Sequence, residues 1–121
     1  MEQTEQEICI NFFNQYRMLQ SLGQLQDVVI FHIANEQYTN KFYTFKLKHM
    51  GLMAGVPDYC ILMPGGRVAF IEFKRNAKRK LRDSQQSFKS ICDALSIPHC
   101  IAYSPIDAFD FLSGLGVFNS V

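Results

Sequence analysis

Asp58, Glu72 and Lys74 are two acids and a base of the types that hydrolysis at phosphorus uses, and they fall in one short stretch. The stretch, Gly55 to Lys74, reads GVPDYCILMPGGRVAFIEFK, and its other residues are mostly apolar or small. Tyr59 to Met63 is apolar, Pro64-Gly65-Gly66 is a strong turn signal, and Val68 to Phe73 is apolar again, which predicts a β-hairpin. Side chains alternate along a strand, so Glu72 and Lys74 share one face while Ala69, Ile71 and Phe73 share the other. A loop of three or five residues brings Asp58 to the face of Glu72 and Lys74, and a loop of four puts it on the wrong side.

Two carboxylates and an ammonium converging on a buried hairpin end are unfavourable without compensation. Like charges repel across a strand pair, and buried charge needs a partner. A divalent cation is such a partner. Mg²⁺ (or Mn²⁺) takes carboxylate oxygens and keeps several waters, one of which can attack a phosphodiester. Asp58 and Glu72 are therefore the expected metal ligands, with the Phe73 carbonyl as a further one. Lys74 is expected to hold the attacking water or to offset charge developing on the phosphate. The competing reading is an ordinary hairpin whose end residues are solvated.

The elements that must hold these residues can be traced along the chain. Thr4-Glu5-Gln6-Glu7 reads as a capping box opening a helix, with Thr4 as cap and Glu7 at the third helical position. Cys9, Phe12, Phe13, Tyr16 and Leu19 follow at helical spacing, and Gly23 is the expected stop. At about 100° per residue Glu5 falls within the apolar stripe and Glu7 nearly opposite. Glu7 has a sufficient task at the cap, whereas Glu5 faces the core side, where a carboxylate needs a reason. Asp27 to Ile33 predicts a strand and Asn35 to Asn40 a polar loop. Phe42, Tyr43, Phe45 and Leu47 interleave with Lys41, Lys46 and Lys48, which suits either a half-buried strand or contact with nucleic acid. Asp83 is the expected cap of a helix whose apolar face holds Phe88, Ile91, Cys92 and Leu95, with Gln86 completing the capping pair. Gln85 reads on its own as a solvated first-turn residue. His99 to Tyr103 predicts a last strand, and Ser104-Pro105 starts a final helix ending near Gly114. His32 and His49 suit packing or phosphate contact better than metal ligation. The predicted class is α/β, a small mixed central sheet flanked by helices.

Composition narrows the alternatives. With 121 residues the chain is expected to form a single domain, and 48% apolar with 19% charged residues is ordinary globular balance rather than disorder. The net charge of +1 conceals a run of Lys74, Arg75, Lys78, Arg79, Lys80 and Arg82, half of the 12 basic residues. Beside a metal site such a run suits a phosphate-binding edge. Cys9, Cys60, Cys92 and Cys100 have no zinc-like spacing and are expected to be reduced core residues. The acidic N-terminus lacks a signal-peptide pattern and no apolar run is long enough for a membrane span, so the expected location is cytoplasmic.

Pro57-Asp58 followed by Glu72-Phe73-Lys74 resembles the PD-(D/E)XK nuclease superfamily. Phe31 to Glu36, Lys46 to Gly51, Gly55-Val56-Pro57-Asp58 and the Leu81 to Phe88 segment with Gln85 are similar to the VRR-NUC domain of stand-alone phage and bacterial nucleases. The resemblance runs from about Thr4 to about Tyr103. It implies a restriction-endonuclease-like core. It also implies that Glu5 and Gln85 complete the site, and that Asn35, Lys46 and Lys48 join the basic run in binding DNA. The activity it implies is metal-dependent DNA cleavage, with branched DNA, particularly four-way junctions, as substrate. A homodimer would match the symmetry of a junction, and its interface could come from Phe109, Phe111, Leu112, Leu115, Val117 and Phe118. The alternatives are a catalytically silent binding module on the same fold, or a nuclease acting on flap or duplex DNA.

Overall fold

The Thr4 hydroxyl accepts a hydrogen bond from the Glu7 N–H at 3.1 Å, and from that cap helix α1 runs over Glu5–Ser21. The computed structural model of the chain describes residues 2–34 and 41–119. After α1 come strand β1 (Val29–His32), helix α2 (Lys41–His49), β2 (Tyr59–Met63), β3 (Arg67–Phe73), α3 (Asp83–Ala94), β4 (His99–Ala102) and α4 (Pro105–Gly114). Among the described residues the strands form one mixed sheet in the order β1-β2-β3-β4. The first three pair antiparallel, and β4 runs parallel to β3 after a crossover through α3.

The sheet is covered differently on its two faces. Ala69, Ile71 and Phe73 of β3 are fully buried with Ile61 of β2, as the alternation predicts; α1 lies over β3, and α4 packs against α1 and β4. Phe12 of α1 sits at the centre of this layer, with its ring centroid 5.1–5.2 Å from those of Tyr59, Phe73 and Phe109. Burial of several such rings supplies much of the apolar driving force. The Tyr16 hydroxyl bolts α1 to the sheet edge by donating to the Val28 carbonyl and accepting from the Ile30 N–H, both at 3.2 Å. On the other face α3 packs through Phe88, whose ring meets Phe70 edge-on at 5.2 Å.

Three expectations are corrected. The Lys41–Leu47 region is helix α2 rather than a strand. Its apolar residues satisfy helical as well as alternating spacing, and the rings of Phe45 and His49 meet edge-on one turn apart at 4.4 Å. Lys46, Lys48 and His49 also complement the negative end of the helix dipole. Second, the cap of α3 is Arg82 rather than Asp83, because Gln85 rather than Gln86 reaches back to the cap N–H. Third, the apolar residues near the C-terminus are used internally. Leu112 and Val117 are buried, and Phe109, Phe111, Leu115 and Phe118 pack against the core. Phe118 bridges Leu25, and Asn119 bonds the carbonyls of Gly23, Gln24 and Leu25, so this segment closes over the α1–β1 connection.

The predicted loop from Asn35 to Asn40 lies outside the described residues. The four cysteines are free, as expected, with Cys60 and Cys92 buried. No described helix is long and apolar enough to cross a membrane.

Two glycines in left-handed conformation should respond differently to substitution. Gly65 has φ +77° with open space where a Cβ would stand, so Gly65→Ala should cost about 1–2 kcal/mol. Gly55 has φ +83°, and a Cβ there would run into the Ser84 carbonyl and the Gln85 N–H at the start of α3. Gly55→Ala should lose distinctly more than Gly65→Ala in urea unfolding. Equal losses would mean that the start of α3 yields freely.

Candidate functional site

Met63 pairs with Arg67, so the hairpin loop is the three residues Pro64–Gly66. Tyr59 then faces Ile71, and one step further Asp58 comes opposite Glu72. The register that the chemistry required is the one adopted. Asp58 is fixed there by accepting a hydrogen bond from the Phe73 N–H on its Oδ2 at 2.7 Å. The N–H and C=O of one strand residue point to the same edge, so the Phe73 carbonyl also faces the Asp58 side. Lys74 follows β3 directly, held by its N–H donating to the Ala102 carbonyl at 2.9 Å.

Helices supply the remaining residues. Gln85, in the first turn of α3, is buried rather than solvated. Its Oε1 accepts from the Arg82 N–H at 2.9 Å, and its Nε2 donates to Glu72 Oε1 at 3.0 Å. One amide thus starts the helix and orients the carboxylate. Glu5, in the first turn of α1, brings Oε1 to 3.9 Å from the Lys74 ammonium. Its side chain is 47% exposed, so it stands at the rim of the site rather than in the core as its helical phase suggested. Glu7 donates its N–H to the Thr4 hydroxyl that caps α1.

The electrostatics show the cost of this assembly. Glu72, Lys74 and Gln85 are the buried polar side chains among the described residues. Burial, together with the neighbouring Asp58 carboxylate, pushes the Glu72 carboxyl up to about 8, against the pull of Lys74 and Arg82. Burial also raises Asp58 above its ordinary value; the Phe73 N–H, His32 and Lys74 oppose that rise, and Glu5 adds to it. A cation would relieve both acids. Among the described residues no group of three or more His, Cys, Asp or Glu side chains is arranged to hold a metal. The available donors are two carboxylates and a backbone carbonyl, all oxygen, which leaves other positions to water. That set fits Mg²⁺ or Mn²⁺ rather than zinc.

The expected nucleic-acid contacts divide. Lys78, Arg79 and Lys80 are exposed on the loop between β3 and α3. Arg75 is instead paired with Glu2 through Nε at 2.8 Å, and Asn76 holds the same Glu2 oxygen at 2.8 Å. Arg82 is exposed at the start of α3, where its N–H donates to Gln85 Oε1 at 2.9 Å. Lys46 and Lys48 lie exposed on the last turn of α2, and Asn35 falls outside the described residues.

The sequence reading missed an open groove of about 730 Å³ between α1 and the β1–β2 end of the sheet. Asp58 and Glu5 stand in its wall, together with Phe13, Phe31, His32 and Tyr59. The i, i+4 pair Cys9 and Phe13, ahead of a strand ending in Phe31-His32, was the available signal, but it reads equally as core. No protein family, curated protein or solved structure matches this chain.

The raised carboxyls imply a pH dependence. Glu72 goes from an ordinary 4.5 to about 8 on folding, so the folded state binds the proton more tightly than the unfolded chain between those values. Stability is therefore greatest on the acid side and declines as pH rises from about 5 to 8, and Asp58 acts in the same direction. In EDTA the thermal midpoint should fall across that range, and Glu72→Gln should flatten the fall. A wild-type midpoint that rises over the range would contradict the buried-acid geometry.

Proposed function

We propose that this chain is a Mg²⁺- or Mn²⁺-dependent endonuclease that hydrolyses phosphodiester bonds in branched DNA. One observation carries the reading: Asp58 and Glu72 face each other across a buried hairpin end, with Lys74 beside them and Gln85 holding Glu72. A buried acid such as Glu72, beside the half-buried Asp58, destabilises a fold unless function or a bound cation compensates. The mixed sheet between α1 and α3 is compatible with a PD-(D/E)XK core of the VRR-NUC type. Four-way junctions are the substrate that this resemblance implies, and a homodimer would present two sites to one junction.

Each residue has a distinct task in the proposed reaction. When bound, the cation supplies a water of lowered pKa and neutralises the phosphate. Asp58 is held in place by the Phe73 N–H, and Glu72 by the Gln85 amide, so neither carboxylate must reorganise as the substrate arrives. The Lys74 ammonium is placed to orient the attacking water or to meet charge on the non-bridging oxygens. Water adds to phosphorus, one P–O ester bond breaks, and the departing oxygen takes up a proton, so no covalent enzyme intermediate forms. Glu5, at 3.9 Å from Lys74, tunes the position of that ammonium. A silent binding module would need none of this arrangement.

Asp58→Ala, Glu72→Ala and Lys74→Ala should each abolish cleavage of labelled junction DNA in Mg²⁺ while circular dichroism stays native. Losses should be non-additive because the residues act as a unit. Gln85→Ala should reduce kcat without restoring solvent to the core, and Glu7→Gln should leave cleavage intact. Normal cleavage by Asp58→Ala, or full activity in EDTA, would overturn the assignment.

Binding should weaken steeply with salt through the β3–α3 loop. Changing Lys78, Arg79 and Lys80 together to Ala should weaken all DNA sequences equally. It should also make the slope of log K against log salt shallower, by roughly 0.9 for each duplex phosphate that is no longer neutralised. An unchanged slope would make the loop a merely solvated surface.

A further inference from the structure

The groove beside Asp58 is a second chemical environment next to the carboxylates. Its floor is aromatic: Phe13 and Tyr59 lie nearly parallel, 14° apart, with centroids 6.2 Å from each other, and His32 meets Tyr59 at 5.3 Å. Tyr59 is locked from below, because its hydroxyl donates to the Cys9 carbonyl at 3.2 Å. Phe31 stands at the edge, 43% exposed. Gln6 and Asn14 add amide groups to the rim, where the edge of a planar ligand can be hydrogen-bonded.

Size and charge restrict what can enter. About 730 Å³ lies within the range of roughly 300–1,000 Å³ found for small-ligand sites. The acids Glu5 and Asp58 are among the lining residues, which disfavours a phosphate and favours a neutral ring. The exposed bases Lys78, Arg79 and Lys80 sit on a different element, the loop leading into α3, so charged backbone and neutral ring have separate places to bind.

We propose that the groove receives an unpaired nucleobase from the strand being cut, the base next to the scissile phosphate. The inference rests on the phosphodiester-hydrolysis reading and deepens it, because Asp58 belongs to both the groove and the carboxylate pair. A base stacked on the aromatic floor would set the distance of its phosphate from Asp58 and Glu72. A base held in a duplex cannot enter, so the groove selects DNA with an unpaired nucleotide at the cut, as at a branch point, a bulge or a flap. Stacking tolerates any base, and selection is therefore by structure rather than by sequence.

The test uses the full chain with Ca²⁺ in place of Mg²⁺ and a DNA duplex containing 2-aminopurine, either paired or as a single unpaired nucleotide. Unpaired 2-aminopurine should be quenched on binding, and the paired probe should not. Phe31→Ala should weaken binding of the unpaired probe roughly tenfold and leave the paired probe unaffected, and Phe31→Trp should restore it. Phe31 is exposed, so these variants should fold, and circular dichroism checks that they do. Cleavage in Mg²⁺ without quenching in Ca²⁺ would overturn the groove and leave hydrolysis standing. Quenching without cleavage in any metal would sustain the groove and overturn the hydrolytic reading. Equal binding of paired and unpaired probes by the wild type would overturn the proposed selectivity.

Discussion

The hydrogen bond from the Phe73 N–H to Asp58 Oδ2 links the two strands beyond the last regular pair of the hairpin, and the candidate site depends on it. It ties the irregular approach Gly55-Val56-Pro57 to the end of β3 and places one acid opposite the other. The same bond favours the ionised form of Asp58 against burial. Its position follows from loop length. A hairpin one residue longer or shorter in its turn would send Asp58 to the Ile71 and Phe73 side, into the layer filled by Phe12 and Tyr59.

Around that bond, elements distant in sequence contribute one residue each. The first turn of α1 brings Glu5 and the first turn of α3 brings Gln85, so both helix starts converge on the end of β3. Gln85 serves two of these elements at once. It satisfies an orphan N–H at a helix start and a buried carboxylate oxygen with the two ends of one amide. The close approach of Gly55 to Ser84 keeps the strand end and the helix start together. Stability and site geometry are therefore coupled, and the Glu72 carboxyl is raised because it is buried beside Asp58.

The two sides of the carboxylate pair differ in kind. Toward α3 lies a loop with exposed Lys78, Arg79 and Lys80; toward α1 lies an aromatic groove lined also by Glu5 and Asp58. Under the proposed function, a polyanion carrying planar neutral rings would meet both at once. A purely structural hairpin end would need neither, and this asymmetry is a stronger indication of function than either flank alone.

Local signals in the sequence were enough for the hairpin, the α1 cap, the buried face of β3 and the two acids with their lysine. Alternation, turn residues and capping chemistry act over a few neighbouring residues, so a linear reading captures them. The α/β class followed from the order of those elements. Helix α2 was misread because its apolar residues satisfy both periods, and only backbone geometry separates them. From its own neighbours Gln85 reads as solvated, and only the resemblance put it at the site, because nothing near it in the chain reveals a carboxylate thirteen positions earlier waiting for a donor. The C-terminal phenylalanines looked surplus until the sheet and α1 supplied the surface they cover. The groove was invisible for the same reason, since its walls come from α1, β1 and β2. Residue types and local spacing decided which groups are present, and tertiary packing alone decided which of them meet, because burial and through-space charge depend on distances that the linear order does not contain.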